Sequence, residues 1–371
     1  MSLARLLAMA RKETIQLRRD TRSLVMAFLL PVFLILIFGY AISFDVKNIE
    51  MAVLDESRSE ASRDLIERFE SSGYFKIVAH PASYGGVDEL LQRGVAKLVL
   101  IIPPNFSRDL AAGRRAPVQI LLDGADANTA TIAQNYAGAI VARYSAEAVL
   151  KGREVVLPIQ AESRVWYNET LESRNMIVPG LVAVIMSIIA AMLTALTIAR
   201  EWERGTMEQL AATPVHRLEV VIGKLLPYVA IGLFDVALAI VAGLVVFGVP
   251  LRGNILLLSG MTLLFLLGAL SFGMFISAAV KTQVLATQLA LQTTYLPAIL
   301  LSGFMYSIST MPIVLQTVTY LVPARYYVKV IKAIFLKGVG LEALWIEAVA
   351  MIIFAAVGVS LAIRAFKKEL A

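Results

Sequence analysis

The chain has 371 residues, 58% of them hydrophobic and 17% charged, with no cysteine and a mean hydropathy of +0.74. That balance excludes an ordinary soluble globular protein, and the missing cysteines exclude disulfides and thiolate metal sites. The net charge of +6 is informative through its placement, because lysine and arginine beside apolar segments set the orientation of a membrane protein.

Windows of about 20 apolar residues, the length that crosses roughly 30 Å of hydrocarbon, fall at about 23–42, 176–199, 221–248, 255–280, 284–306 and 343–363. They predict a polytopic α-helical membrane protein with six transmembrane helices. Residues 1–22 precede the first span and follow helical spacing, with Leu3, Leu6, Leu7, Ala10, Thr14 and Leu17 on one side and Arg11, Arg18 and Arg22 on the other. Such a segment, with Lys12 beside it, suits an interface helix whose basic side meets anionic lipid headgroups. Its excess of positive charge places the N-terminus in the cytoplasm. Six crossings return the C-terminus to the same side, where Arg364, Lys367 and Lys368 also lie. The first span lacks a small-x-small cleavage site at its end, so an anchor is expected rather than a signal peptide.

Residues 43–174 differ in kind, with 15 lysine and arginine against 18 aspartate and glutamate, a net charge of −3. Strand-like runs at 51–57, 75–80, 97–104 and 118–124 alternate with helical patterns at 63–71 and 87–94, the latter closed by Gly94. A longer helix is expected from about Thr129 to Leu150. The pattern predicts an inserted α/β domain on the extracytoplasmic side. Asp123 and Asp126 are its nearest approach to a paired-carboxylate site, and the DG turn that holds the first reads as loop punctuation.

Between the second and third spans runs AREWERGTMEQLAATPV, residues 199–215. Gly205 permits a sharp turn, Thr206 with Gln209 has the spacing of a capping box, Glu208 suits the positive end of a helix dipole, and Pro214 stops the helix near Ala212 or Thr213. A polar stub of about two turns is expected in the cytoplasm. Asp235 falls in the middle of the third span, where a carboxylate costs about 2.5–3.5 kcal/mol on insertion scales. It reads as a group on a substrate path or as one satisfied by Gln288, Gln292 or Thr293. Gly180, Ala183 and Ser187, and Ala269, Gly273 and Ser277, form small-xxx-small patterns that favour close helix packing, including dimerisation. Arg325, Lys329, Lys332 and Lys337 would face outward, against the charge rule, and Glu347 lies near the outer end of the last span.

The run E-R-G-T-x-E-Q-L-x-x-T-P, from Glu203 to Pro214, resembles the cytoplasmic motif of ABC-2 type transporter permeases. LSGFMYSISTMP at 301–312 and YLVPARYYVKVIKAIFLKG at 320–338 resemble the same family's last outer loop, with Ser307 standing where a proline is expected. Bacterial drug-exporter-like permeases of this kind carry a large ectodomain. The resemblance implies short outer re-entrant helices at about 307–340 and a coupling helix at 203–214. Glu203, Arg204, Gly205, Thr206, Glu208, Gln209, Thr213 and Pro214 would form this coupling element, with Arg11, Lys12 and Arg18 on the neighbouring interface helix. Asp235, Gln288 and Gln292 are the candidate substrate path.

The implied role is a multi-pass inner-membrane subunit of an exporter for hydrophobic or amphipathic compounds. The implied partners are a cytoplasmic ATPase subunit carrying ATP and Mg, a second permease subunit in a homo- or heterodimer, a periplasmic membrane-fusion adaptor and membrane lipid. Nucleic acid is not among them, and no bound cofactor, metal or catalytic residue is expected. No G-x-x-x-x-G-K-[ST] motif occurs in the sequence, since the single GK pair, Gly223-Lys224, is followed by leucine. A transporter or channel driven by an ion gradient is the alternative, although such carriers more often show paired broken helices and several membrane ionisables.

Overall fold

The computed structural model describes residues 2–42, 48–150, 166–168 and 172–366. Lys367 and Lys368 lie outside the described residues. The chain divides into two compact units, one of residues 1–43 with 164–371 and one of residues 44–163.

The first unit opens with α1 (Leu3–Arg19) and α2 (Thr21–Ala41). The buried stripe of α1 is Leu6, Met9, Glu13 and Leu17, whereas Leu3 and Leu7 are exposed. The apolar face expected from spacing is therefore rotated, and a glutamate lies inside it, because α1 packs against another helix of the unit rather than presenting only its leucines.

The second unit is an α/β domain of β1 (Ile49–Asp55), α3 (Glu60–Ser71), β2 (Phe75–Ala79), α4 (Tyr84–Gln92), β3 (Leu98–Ile102), α5 (Phe106–Ala111), β4 (Gln119–Leu122) and α6 (Ala127–Leu150). Its sheet has the order β2-β1-β3-β4, with β1 parallel to β2 and β3, and β4 antiparallel to β3. Alternation along β1 sends Met51 and Val53 into a core with Leu65, Phe69 and Phe106, and sends Ala52 and Leu54 into another with Val87 and Ala96. A sheet covered on both faces explains why β3 is apolar at every position. Ser59 opens α3 through a reciprocal bond with Ser62. Gly94 (φ +67°) closes α4 as expected, with the Val95 amide donating back to the Leu90 carbonyl.

The first unit resumes with α7 (Ser173–Glu203), α8 (Met207–Ala211), α9 (Arg217–Val245), α10 (Ile255–Val280) and α11 (Gln283–Leu300). After a 3₁₀ turn at Ile308–Thr310 come α12 (Ile313–Thr319), α13 (Pro323–Lys332), a π-helical turn at Ala333–Lys337 and α14 (Leu341–Ala365). Among the described residues four helices, α7, α9, α10 and α14, are long and apolar enough to cross a bilayer. Of the other two expected spans, α2 contributes an apolar stretch at Ala27–Ala41. The fifth stops at Leu300 rather than 306, ahead of Gly303 in left-handed geometry (φ +78°).

Along its most apolar stretch α7 is 89% buried, against 28–50% for the other three long helices, so it is the central element of the bundle. It packs against α2, α9, α10, α11 and α13. The small residues act within this one chain. A side chain added at Gly273 of α10 would collide with Thr194 and the Ala191 carbonyl of α7, and a Cβ added at Gly358 of α14 would stand 3.2 Å from the Gly268 carbonyl of α10. Gly180 makes room for Phe304. These contacts use positions that spacing alone left open to dimerisation.

Replacing Gly273 with leucine forces α10 away from α7, and overpacking of this kind costs about 1–3 kcal/mol. The detergent-solubilised variant is expected to unfold at a lower temperature than the wild type. Gly260→Leu, at a position with open space around it, is expected to leave the midpoint unchanged.

Candidate functional site

Within 203–214 the helix α8 covers Met207–Ala211, five residues where about two turns are expected, and its start differs in chemistry. Gly205 adopts the left-handed geometry (φ +69°) that ends α7, and its amide donates to the Trp202 carbonyl. Thr206 precedes α8 in helical rather than extended geometry (φ −73°, ψ −9°) and makes no capping bond. Its hydroxyl donates instead to the Glu201 carbonyl at 3.4 Å. The expected capping box with Gln209 is absent, because a capping hydroxyl reaches the third amide only from extended backbone. Beyond α8 the Thr213 hydroxyl donates to the Leu210 carbonyl at 2.7 Å, ahead of Pro214.

Met207 and Leu210 anchor the stub in the core, while Arg204, Glu208 and Gln209 are exposed. Glu203 is exposed as well, yet its carboxylate accepts the backbone amide of Gln283 at 2.7 Å and also its side-chain amide. It therefore fastens the end of α7 to the start of α11, a use that the motif did not reveal. Lys281 stacks over the Trp202 ring, 4.2 Å from its centroid, at the same corner.

A buried ionic network joins this corner to α1. Lys224 of α9 is fully buried, and its amine donates to Glu13 Oε2 of α1 at 2.8 Å and to Glu201 Oε1 of α7 at 2.9 Å. Lys12 donates to the same Glu201 oxygen at 2.8 Å, and the Tyr228 hydroxyl donates to Glu13 Oε1 at 3.1 Å. Two cations and two carboxylates balance, although Glu201 Oε2 is left without a hydrogen-bond partner among the described residues. Gly223 lets α1 approach, since an added Cβ would stand 2.7 Å from Met9 Cβ and 3.1 Å from the Leu6 carbonyl. The ends of α1 are held too. Glu219 accepts the Ser2 amide at 2.6 Å, Arg5 donates to the Pro214 carbonyl at 2.6 Å, and Arg200 pairs with Asp20 at 2.6 Å.

Glu13, Glu201, Lys224 and Tyr228 were not singled out from the sequence. The available signals were a glutamate inside the apolar stripe of α1 and a lysine one turn into an apolar helix. Of the expected interface residues, Lys12 enters the network while Arg11 and Arg18 remain exposed.

Among the described residues Asp235 does not meet Gln288 or Gln292. Asp235 is buried on α9 with neither carboxylate oxygen hydrogen-bonded to a described residue, and Gln288, Gln292 and Thr293 are exposed on α11. Of the two readings of Asp235, the one that pairs it with these residues is not met, because α11 packs chiefly on α7 and α10. Glu347 of α14 is buried and pairs with Lys329 of α13. Arg325 donates to Thr319 and stacks over the Tyr320 ring at 3.8 Å, so the basic run is largely engaged in local contacts.

In the second unit, Asp123 pairs with Lys97 at 2.8 Å and accepts the Ala125 amide at 3.0 Å. The Lys97 bond holds its carboxyl below the usual range. Asp126 accepts the Asn128 and Thr129 amides at the start of α6. Both are structural groups.

Truncating Lys224 to methionine leaves two buried carboxylates without their shared cation, and breaking a buried pair this way costs about 3–5 kcal/mol. Lowered thermal stability and freer proteolysis of α1 are the expected results. Replacing Glu13, Glu201 and Lys224 together with leucine and methionine removes the charges and is expected to recover most of the loss.

Comparison with known proteins follows the same outline. The family model described as ABC-2 family transporter protein matches residues 21–364. The chain is 36% identical over 340 residues to the "Probable multidrug ABC transporter permease YbhS" of Escherichia coli K12, covering 91% of this chain and 90% of that one. It is 30% identical over 365 residues to "Probable multidrug ABC transporter permease YbhR" of the same organism, covering 98% and 99%. The "Inner membrane transport permease YhhJ" of that organism is 26% identical over 329 residues, covering 86% and 85%. With a family match across nearly its whole length and four helices able to cross a bilayer, the chain belongs to the ABC-2 family of transporter proteins and is a multi-pass membrane permease.

Proposed function

We propose that this chain is the membrane-spanning subunit of an ATP-driven exporter, powered by ATP and Mg on a separate cytoplasmic ATPase. In this reading six helices, α2, α7, α9, α10, α11 and α14, cross the inner membrane. Both termini and α8 lie in the cytoplasm, residues 43–174 lie outside it, and the short helices at 307–340 form the outer re-entrant region. A second permease subunit completes the path, and an adaptor docked on the α/β unit would extend it.

The observation that carries the proposal is the mounting of α8. The stub continues directly from α7 and is tied through Glu201, Lys224 and Glu13 to α1 and α9. Its exposed Glu208 and Gln209 are free to meet an ATPase surface. A force on that face would act on three helices at once, because close-packed, charge-paired elements move as a body rather than deform. At its other end α7 packs on α13, so the same element reaches the outer segment.

The relatives named as multidrug permeases support a hydrophobic or amphipathic substrate, consistent with the apolar bundle. Asp235, unpartnered among the described residues, would supply one polar contact within it. Gln288 and Gln292, exposed on α11, would face the path from the side open to a second subunit.

Glu208→Arg combined with Gln209→Lys inverts the face offered to the ATPase. Like-charge contacts at an interface cost several kcal/mol, so substrate-stimulated ATPase activity of the reconstituted complex should fall at least about tenfold, with membrane insertion intact. Unchanged activity would overturn the coupling assignment. Export that ignores ATP depletion but collapses with the ion gradient would establish the secondary-transporter reading instead.

A further inference from the structure

A cleft of about 750 Å³ opens between α1, α7 and the start of α11. Only its α7 wall is graded in composition, while the α1 wall is cationic at both ends with Ile15 between. Along α7, Met192, Leu196, Arg200 and Arg204 follow at four-residue intervals, so one side of the helix is apolar for two turns and then cationic for two. That line spans about 18 Å at 1.5 Å per residue. Along α1, Lys12, Ile15 and Arg19 share one face across the gap.

The charge in the cleft is uneven in its commitments. Lys12 is paired with Glu201 and Arg200 with Asp20. Arg19 and Arg204 are both exposed, and neither has an ion-pair or hydrogen-bond partner among the described residues. Among the described residues Asp20 is the only carboxylate lining the cleft, so the lining is strongly positive around two unengaged guanidiniums. Guanidinium groups bind phosphate oxygens in paired hydrogen bonds. A free phosphate would leave the apolar half of the cleft unused, whereas a phospholipid would fill both halves.

We propose that this cleft is a binding site for one anionic phospholipid. Its phosphate would lie between Arg19 and Arg204, and the upper part of an acyl chain would lie along Met192 and Leu196. The lipid would bridge α1 to the end of α7 beside the buried ion network, as a second fastening of the corner that carries α8. The inference rests on the reading above that α7 crosses the membrane with Glu203 at the cytoplasmic face. It extends the expected lipid contact from a general attraction of the α1 surface to a defined cleft.

The test uses the full-length permease without any ATPase, purified in mild detergent and exchanged into nanodiscs of phosphatidylcholine doped with phosphatidylglycerol. Retained lipid is read by native mass spectrometry after stepwise delipidation. One phosphatidylglycerol per permease is expected to outlast phosphatidylcholine. Juxtamembrane cations contribute about 1 kcal/mol each at an anionic surface, so Arg19→Gln with Arg204→Gln should weaken phosphatidylglycerol retention about 30-fold. Phosphatidylcholine retention should be unaffected. Leu196→Gln should weaken it through the apolar wall alone, and millimolar inorganic phosphate should not displace the lipid.

Equal retention of the two lipids, or a double variant that keeps phosphatidylglycerol like the wild type, would overturn the site. Displacement by inorganic phosphate would overturn the lipid in favour of a free anion. Because Arg19 and Arg204 hold no described partner, an unchanged unfolding midpoint in detergent confirms that the variant is folded. Alkaline carbonate extraction reports membrane insertion separately, so a failure of this site is distinguishable from a failure of the transmembrane reading.

Discussion

The arrangement of the helical unit depends on one buried cation. An ammonium group removed from water costs several kcal/mol even after relaxation, and the cost is offset only where carboxylates and hydrogen bonds surround it. Lys224 meets that condition with Glu13 on one side and Glu201 on the other. The two carboxylates come from different helices, so satisfying the lysine determines where both must be. Helix α1 is consequently a structural part of the bundle, seated over Gly223 and held at each end by further polar contacts. A helix that only floated on a lipid surface would have no reason to carry a glutamate in its buried stripe.

This constraint gives α7 its role. It is the most buried of the long helices. One end carries Glu201, Glu203 and the stub, while the other passes Gly180, where Phe304 and Lys332 crowd the backbone. Small residues at Gly273 and Gly268 bring α10 against α7 and α14 against α10 at backbone distance. Close contacts of this kind resist gradual deformation, so displacement at one end is carried along the helix. The Glu203 bond to Gln283 adds α11 to the same corner. The corner that carries the polar stub is thus attached to α1, α9 and α11.

Much of the local structure was legible because it rests on local rules. The α/β alternation, the turn at Gly94, the break at Gly205 and the stop before Pro214 depend on backbone geometry available to few residues, and each is found where the residues place it. Departures arise where partners are distant in sequence. Thr206 has the spacing of a cap, yet it follows Gly205 in helical geometry and its hydroxyl turns back to Glu201. Glu203 reads as a surface charge because its partner lies 80 residues away. One of the two readings of Asp235 pairs it with α11, whose packing on α7 and α10 no hydropathy pattern encodes. The fifth span was read as six residues longer because apolar character continues past the left-handed turn at Gly303.

By itself the sequence determined that this protein belongs in a bilayer, that an α/β segment interrupts its helices, and that a short polar stub follows the long apolar run ending near Ala199. Those properties follow from composition, periodicity and turn-forming residues, each acting over a few positions. Only the tertiary structure decided that Lys224 is a shared counter-ion rather than half of a failed nucleotide motif, and that Glu13, 211 residues away, is its partner. It also decided that Gly273 meets α7 and that side chains of α1 and α7 enclose one cleft. The physical reason is common to all of these. Burial and charge pairing are properties of neighbours in space, and apolar helices of similar composition carry almost no local signal of which one each will meet.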